Sequence, residues 1–217
     1  METGDSTPAA KPKRRRPRRR FTEGKRSEIS AATRLEILRS ASAAFRKHGY
    51  HGATVEQIAA ALHMKKGNLY YYFRNKEDIL FACHQYSLDQ LLAVFADLEG
   101  HGLAPDERFR RLIVAFVHII LDELHGTALF LDLEALGPAH RKIVIARRDR
   151  FDQGLREVLQ AGVRAGQFRP IDVKLLSFAI LGAVNWIPRW YNPNGPSTSQ
   201  EVADRFADYL LVGLRPI

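Results

Sequence analysis

The sequence predicts an all-α protein in two parts, a small N-terminal three-helix head and a larger helical bundle behind it. Three observations carry this. Apolar residues recur at three- and four-residue spacings along most of the 217 residues, and no stretch alternates apolar with polar. Capping signals stand where those periodic stretches begin: Thr54 with Gln57, Asn75 before Glu77 and Asp78, and Thr198 with Glu201. Basic charge is confined to the first third: the formal charge of +9 is made of +7 over residues 1–27 and +4 over 31–80, with 81–217 close to neutral. That asymmetry separates a nucleic-acid-facing end from a module with another task.

Residues 1–27 are polar and dense in like charge, with Lys11 to Arg20 reading KPKRRRPRRR. Nothing there can build a core, so a disordered arm is expected. It is suited to DNA phosphates or an adjacent minor groove, unless it is only a solubilising tail. The first helix is predicted over about 30–47, with Thr33 and Glu36 at capping-box spacing and Leu35, Leu38, Ser42 and Phe45 on one face. Gly49 ends it in a left-handed conformation. A short helix follows over 54–62, burying Val55, Ile58, Ala59 and Leu62, and another over 66–72, anchored by Leu69 and Phe73.

Asn75 caps a fourth helix that runs to about Leu98. Further helices are expected over 105–124, 127–136, 139–165, 172–190 and 199–212, punctuated by Gly100, Gly102, Gly137-Pro138, Gly166 and the Pro193–Pro196 loop. The domain plan is therefore an arm over 1–27, a head over 28–80 and a bundle over 81–217.

The two short helices of the head form a helix-turn-helix. Within eight residues, Lys65, Lys66, Asn68, Tyr70, Tyr71 and Tyr72 offer cations, an amide and phenolic hydroxyls. Cations and hydroxyls suit phosphates, and amides and ring edges suit base edges. Lys66 and Asn68 have no attractive place in a core. Tyr70, next to Leu69, could serve packing instead, and Lys76 could simply be solvated.

Residues 31–80 resemble the TetR family of bacterial one-component transcriptional regulators. The resemblance rests on Ile37 through Phe45, Gly49, Thr54-Val55-x-x-Ile58-Ala59, and Gly67-Asn68-Leu69-Tyr70-x-Tyr72-Phe73-x-Asn75-Lys76-Glu77-Asp78-Ile79-Leu80. Two departures stand out: His63 where the family usually has a turn glycine, and Lys65 and Asn68 where it often has Ser or Thr. The resemblance implies that Thr54, Lys65, Tyr70, Tyr72 and Lys76 touch phosphates. It places Lys66, Gly67, Asn68 and Tyr71 closest to bases, with Gly67 allowing close backbone approach.

Residues 139–214 are similar to the ligand domain of TetR-type regulators of fatty-acid or steroid breakdown, many of which sense acyl-CoA thioesters. Arg147-Arg148-Asp149-Arg150-Phe151, Gly162 to Phe168, Gly182-Ala183-x-Asn185-Trp186-x-x-Arg189-Trp190-Tyr191, and Gly195 through Leu214 carry this likeness. An acyl or polycyclic ligand needs an apolar channel, for which Phe95, Phe109, Phe116, Phe130 and Leu131 are candidates. A CoA headgroup needs cations and aromatic faces, which Arg147, Arg148, Arg150, Arg189, Trp186 and Trp190 supply. The resemblance also implies a homodimer whose seam uses Leu175, Phe178, Ala179, Gly182, Ala183 and Trp186, with Val202, Phe206, Tyr209, Leu210 and Gly213.

The expected function is a ligand-responsive repressor on a palindromic operator, without a cofactor. Rivals are a drug or small-aromatic sensor controlling an efflux gene and a non-specific architectural DNA-binding protein. An enzyme is disfavoured: His101, His118, His125 and His140 lack metal-ligand spacing, and Ser87 and Ser177 lack a nucleophile motif. One cysteine, Cys83, precludes an intramolecular disulfide. With neither a secretory signal nor an apolar run long enough to span a membrane, a cytoplasmic location is expected.

Overall fold

The computed structural model describes residues 23–124 and 133–216, and among them there is no strand. The basic run Lys11 to Arg20, together with His125, Phe130 and Leu131, lies outside the described residues.

Helix α1 spans Glu23–Gly52 and starts seven residues earlier than expected. The stretch before Ser30 carries Glu, Lys and Arg, which favour helix, so Thr33 and Glu36 sit inside the helix instead of capping it. Gly49 does break the regular path, at φ +69°. A Cβ there would meet nothing within 4 Å, so backbone torsion alone asks for glycine. α2, Val55–Ala61, opens with a complete Thr54–Gln57 capping box. α3, Lys66–Tyr70, is shorter than its predicted range.

The turn between α2 and α3 explains the His63 departure. Met64 N–H donates to Ala59 O and His63 N–H to Ala60 O, the paired bonds of a Schellman closure. That closure puts residue 63 at positive φ, and His63 sits at +52°. The same motif ends the long helix near the C-terminus, where Gln167 N–H donates to Gly162 O and Gly166 N–H to Val163 O. There a glycine takes the +70° position.

α4, Lys76–Glu99, is capped by Asn75 and runs out of the head into the body. By length and composition it could cross a membrane, but nine of its residues are buried against neighbouring helices. α5, Pro105–His118, continues as a five-residue π-helical stretch, Ile119–Glu123, where one uninterrupted helix was expected. The helix expected over 127–136 falls mostly outside the described residues, and Leu133–Ala135 forms a 3-10 turn. α6 spans Pro138–Arg164, α7 Val173–Trp190 and α8 Ser199–Leu214, the last with its Thr198–Glu201 capping box intact.

Two hydrophobic clusters share α4. The head cluster gathers Ile37, Phe45, Ile58, Leu69, Ile79 and Leu80, and reaches Leu88 on α4 and Val144 on α6. The body cluster begins at Leu91 and collects α5 through α8, including Ile113, Phe116, Leu155, Ile180 and Ala207. Each large side chain so buried contributes roughly 1.5–3 kcal/mol, which fixes the short head helices on a rigid base. Ser42 Oγ meets Cys83 Sγ at 3.6 Å between α1 and α4, and burial pushes the Cys83 thiol up to about 12, leaving it unreactive.

Candidate nucleic-acid interface and effector cavity

The tip of the head points outward. Thr54, Lys65, Lys66, Gly67, Asn68, Tyr70 and Tyr71 are all exposed, and Tyr71 keeps 82% of its surface accessible. Leu69, on the opposite side of α3, is completely buried. The amphipathic split follows from the sequence: within Lys66–Tyr70 only Leu69 can anchor in an apolar core, and the other side chains go to solvent. Tyr70 is 42% exposed, so packing does not absorb it. Tyr72 is half-buried, with its ring edge-on to Tyr71 at 5.2 Å.

Three contacts position this tip, and sequence reasoning missed all of them. Arg34 Nη1 donates to the Tyr72 carbonyl at 3.3 Å and lies 4.2 Å over the Phe73 ring, so α1 clamps the end of α3. Glu56 on α2 pairs with Lys66 and holds the lysine against the front of the helix-turn-helix. This pairing lowers the Glu56 carboxyl and raises the Lys66 amine, through the hydrogen bond first and charge second. Lys76 is used differently from the phosphate role assigned to it. Its Nζ donates to the carbonyls of Tyr50 at 2.7 Å and Ala53 at 2.9 Å and sits 4.4 Å over the Tyr50 ring. The amine thereby satisfies carbonyls at the end of α1 and fixes α4 beneath the reading tip.

Head and body are tied where α4 begins. Glu77 Oε1 accepts from Gly137 N–H at 2.9 Å and meets His140 Nδ1 at 2.8 Å, while Phe81 stacks on His140 at 4.0 Å. The Gly137 amide, followed by His140, holds the Glu77 carboxyl below its ordinary value. A Cβ on Gly137 would approach Glu77 Oε1 to 3.1 Å. Farther along α6, Arg147 donates to Gln85 Oε1 at 2.9 Å and pairs with Asp89. Its charge is thus engaged by α4, away from the cavity for which it was a candidate.

In the body, between α4, α5, α6 and α7, lies a partly open cavity of about 130 Å³. Leu88, Leu91, Phe116, Phe151 and Leu181 form its apolar wall, and Arg148 and Asn185 its polar edge. Burial pulls the Arg148 guanidinium below its usual value. Beside it, on α4, His84 is fully buried, and neither ring nitrogen has a hydrogen-bond partner. Burial first, and the Arg148 charge second, push His84 down to about 3, so its ring is neutral.

Of the candidate ligand residues, the structure brings Phe116 and Arg148 to this cavity. Phe95 stands just behind the wall, 5.4 Å from the Phe151 ring. Phe109 lies elsewhere, packed edge-on against Phe168 at 5.8 Å in the core. Trp186, Arg189 and Trp190 are on the outer face of α7, with Arg189 5.8 Å over Trp186 and Trp190 stacked on Phe206. They join Leu175, Phe178, Tyr209 and Val212 in an exposed apolar surface on α7 and α8. Val202, expected on that surface, is buried in the body cluster. Among the described residues no group of three His, Cys, Asp or Glu could hold a metal ion.

Residues 37–83 match the description "Bacterial regulatory proteins, tetR family", and residues 102–214 match "Tetracyclin repressor-like, C-terminal domain". The chain belongs to the TetR family. It is 31% identical over 186 residues to the transcriptional repressor KstR2 of Mycobacterium tuberculosis, covering 83% of this chain and 92% of that protein. The crystallised ketosteroid regulator KstR2 of the same organism superposes with a TM-score of 0.77 at 28% identity, over 85% and 96% of the two chains. PfmR of Thermus thermophilus gives 0.74 at 34% identity over 83% and 99%. AibR in complex with isovaleryl coenzyme A and operator DNA gives 0.69 at 28% over 84% and 98%. The protein is accordingly a TetR-type transcriptional repressor, a dimeric DNA-binding regulator, and its relatives are transcriptional regulators rather than enzymes.

Proposed function

We propose that this TetR-type repressor senses a short-chain acyl thioester, which releases it from its operator in the cytoplasm. The observation that carries the reading is the size and lining of the inner cavity, about 130 Å³ with an apolar wall and one polar edge. Cavities near 150 Å³ accept a molecule about the size of benzene, so an acyl group of about four to six carbons fits and a fused steroid nucleus does not. Arg148 and Asn185 can donate to the thioester carbonyl, and the neutral, unpartnered His84 ring stands behind the cavity lining, beside Arg148. Among the relatives, the isovaleryl coenzyme A bound by AibR has an acyl group of this size.

At the other end, α3 would enter the major groove. Lys66, Gly67, Asn68 and Tyr71 face bases, and Thr54, Lys65, Tyr70 and Tyr72 face phosphates, while Lys76 positions α4. The exposed apolar face of α7 and α8, with Trp186, Arg189 and Trp190, would form the dimer seam. We place the functional divide inside α4, between Leu88 and Leu91 where the core changes cluster, instead of at residue 80.

Release works through differential affinity. An acyl group wedged against Arg148 and Phe151 displaces α6, and the Glu77 and Arg147 contacts carry the shift to α4 and the reading tip. The test is thermal shift and operator gel shift with CoA esters from acetyl to decanoyl, a steroid-ring CoA ester, the free acids and aromatic drugs. Four- to six-carbon CoA esters should stabilise the protein and dissociate the operator complex. A response to the steroid ester or a drug alone, or to no CoA ester, refutes the reading.

A further inference from the structure

A second cleft, of about 580 Å³, opens between the far half of α4, the start of α5 and the last turns of α6. This volume lies within the roughly 300–1,000 Å³ of small-molecule sites. Three arginines line it. Arg150 and Arg164 are exposed and make no ion pair or hydrogen bond among the described residues. Arg108 reaches Glu99 only at 3.8 Å, and its buried Nε has no hydrogen-bond partner. Glu99, facing Arg108, and Glu157, which accepts from Gln153, also line the cleft, so Arg150 and Arg164 are the guanidinium groups left available to a polyanion.

The cleft also has an aromatic face, and that face backs onto the wall of the inner cavity. Phe95 lines it and is seated directly over Gly154, where a Cβ would come within 2.6 Å of the ring. Glycine at 154 is what lets the ring lie there. Phe95 packs against Phe151 at 5.4 Å, and Phe151 in turn lines the acyl cavity. Two aromatic rings therefore separate a small apolar chamber from a larger cationic cleft.

We propose that this cleft seats the nucleotide end of the effector, with the CoA phosphates on Arg150 and Arg164 and the adenine against Phe95. The pantetheine arm reaches the inner cavity by parting Phe95 from Phe151, whose rings are packed together in this structure. The assignment rests on the acyl-thioester reading and moves the headgroup away from Trp186, Arg189 and Trp190. Charge-assisted arginine–phosphate bonds are strong and geometrically selective, whereas a free acid gains nothing from them.

The test is calorimetric titration of the full-length protein with isovaleryl-CoA, CoA and isovalerate. It compares the wild type, an Arg150→Ala/Arg164→Ala variant and a Lys142→Ala control, a lysine exposed near the other end of α6. Both substituted arginines are exposed, so the fold is retained, and a melting curve verifies it. The double variant should lose roughly tenfold or more in affinity for isovaleryl-CoA, with operator binding unchanged and the control like wild type. Wild-type affinity for isovaleryl-CoA in the double variant overturns the cleft assignment and leaves the acyl-thioester reading standing. No binding of any CoA ester by the wild type overturns both.

Discussion

Polar side chains in the head and in the body face opposite ways. Lys65, Lys66, Asn68 and Tyr71 stand in solvent around one buried leucine, whereas Arg148 and Asn185 line a cavity with Leu88, Leu91 and Phe116, and His84 is buried on α4. The first arrangement keeps its groups hydrated until a large charged surface displaces the water. The second pays desolvation in advance and recovers it only from a ligand small enough to enter. The head is therefore built to lose function without losing stability, and the cavity to gain stability where its function is sacrificed.

The largest expected effect lies in the head. Lys66→Ala and Tyr71→Ala should each weaken operator binding by about 1–3 kcal/mol while leaving the melting temperature in place. Gel-shift titration beside thermal melting measures both, and unchanged binding would remove α3 from the mechanism.

The opposite behaviour is expected at His84. His84→Leu removes a buried ring with two unsatisfied nitrogens, so stability at neutral pH should rise by about 1–3 kcal/mol while the response to acyl-CoA weakens. Its pH dependence has a definite sign. From an ordinary value of 6.5 the folded ring is pushed down to about 3. As pH falls through 6.5 the unfolded chain takes up a proton that the folded chain refuses until near pH 3. Stability is lost across that window by at most about 1.4 kcal/mol per pH unit. Urea titrations at several pH values should show a shallower acid limb in His84→Leu, and an identical limb would exclude His84 as its source.

The smallest effect concerns the turn that presents α3. His63 holds a positive φ that Gly166 holds at the matching turn in the body. His63→Gly should relieve up to about 1 kcal/mol of strain, partly offset by the entropy of glycine. Melting curves should show a small gain or none, and a clear loss would mean that the imidazole makes a contribution of its own.

The head was far more legible from sequence than the cavity. Its signals are local: Thr54 with Gln57 for a cap, Leu69 and Phe73 for an anchor, and cations and tyrosines crowded into one turn. Even the His63 exception could be foreseen from torsional preference. The contacts that orient the head were not legible, because Arg34 with Tyr72, and Glu56 with Lys66, are joined through space at separations with no helical period. In the body, Phe109 and Phe116 lie on the same apolar stripe of α5, so periodicity assigns them alike. Only packing shows that one fills the core and the other borders a cavity. His84 reads in sequence as one more residue on the inner face of α4, and only the absence of a partner distinguishes it.

The Glu77 contact bears on how such regulators can be recombined. A head transplanted from another protein brings its own residue to the start of α4. Only a carboxylate of the right reach will engage both the Gly137 amide and the His140 ring. Hybrids that cross over within α4 should thus respond to their effector only when donor and recipient agree on this acid and its two partners. Exchanging all three positions together should recover regulation in hybrids that fold and bind DNA but no longer respond.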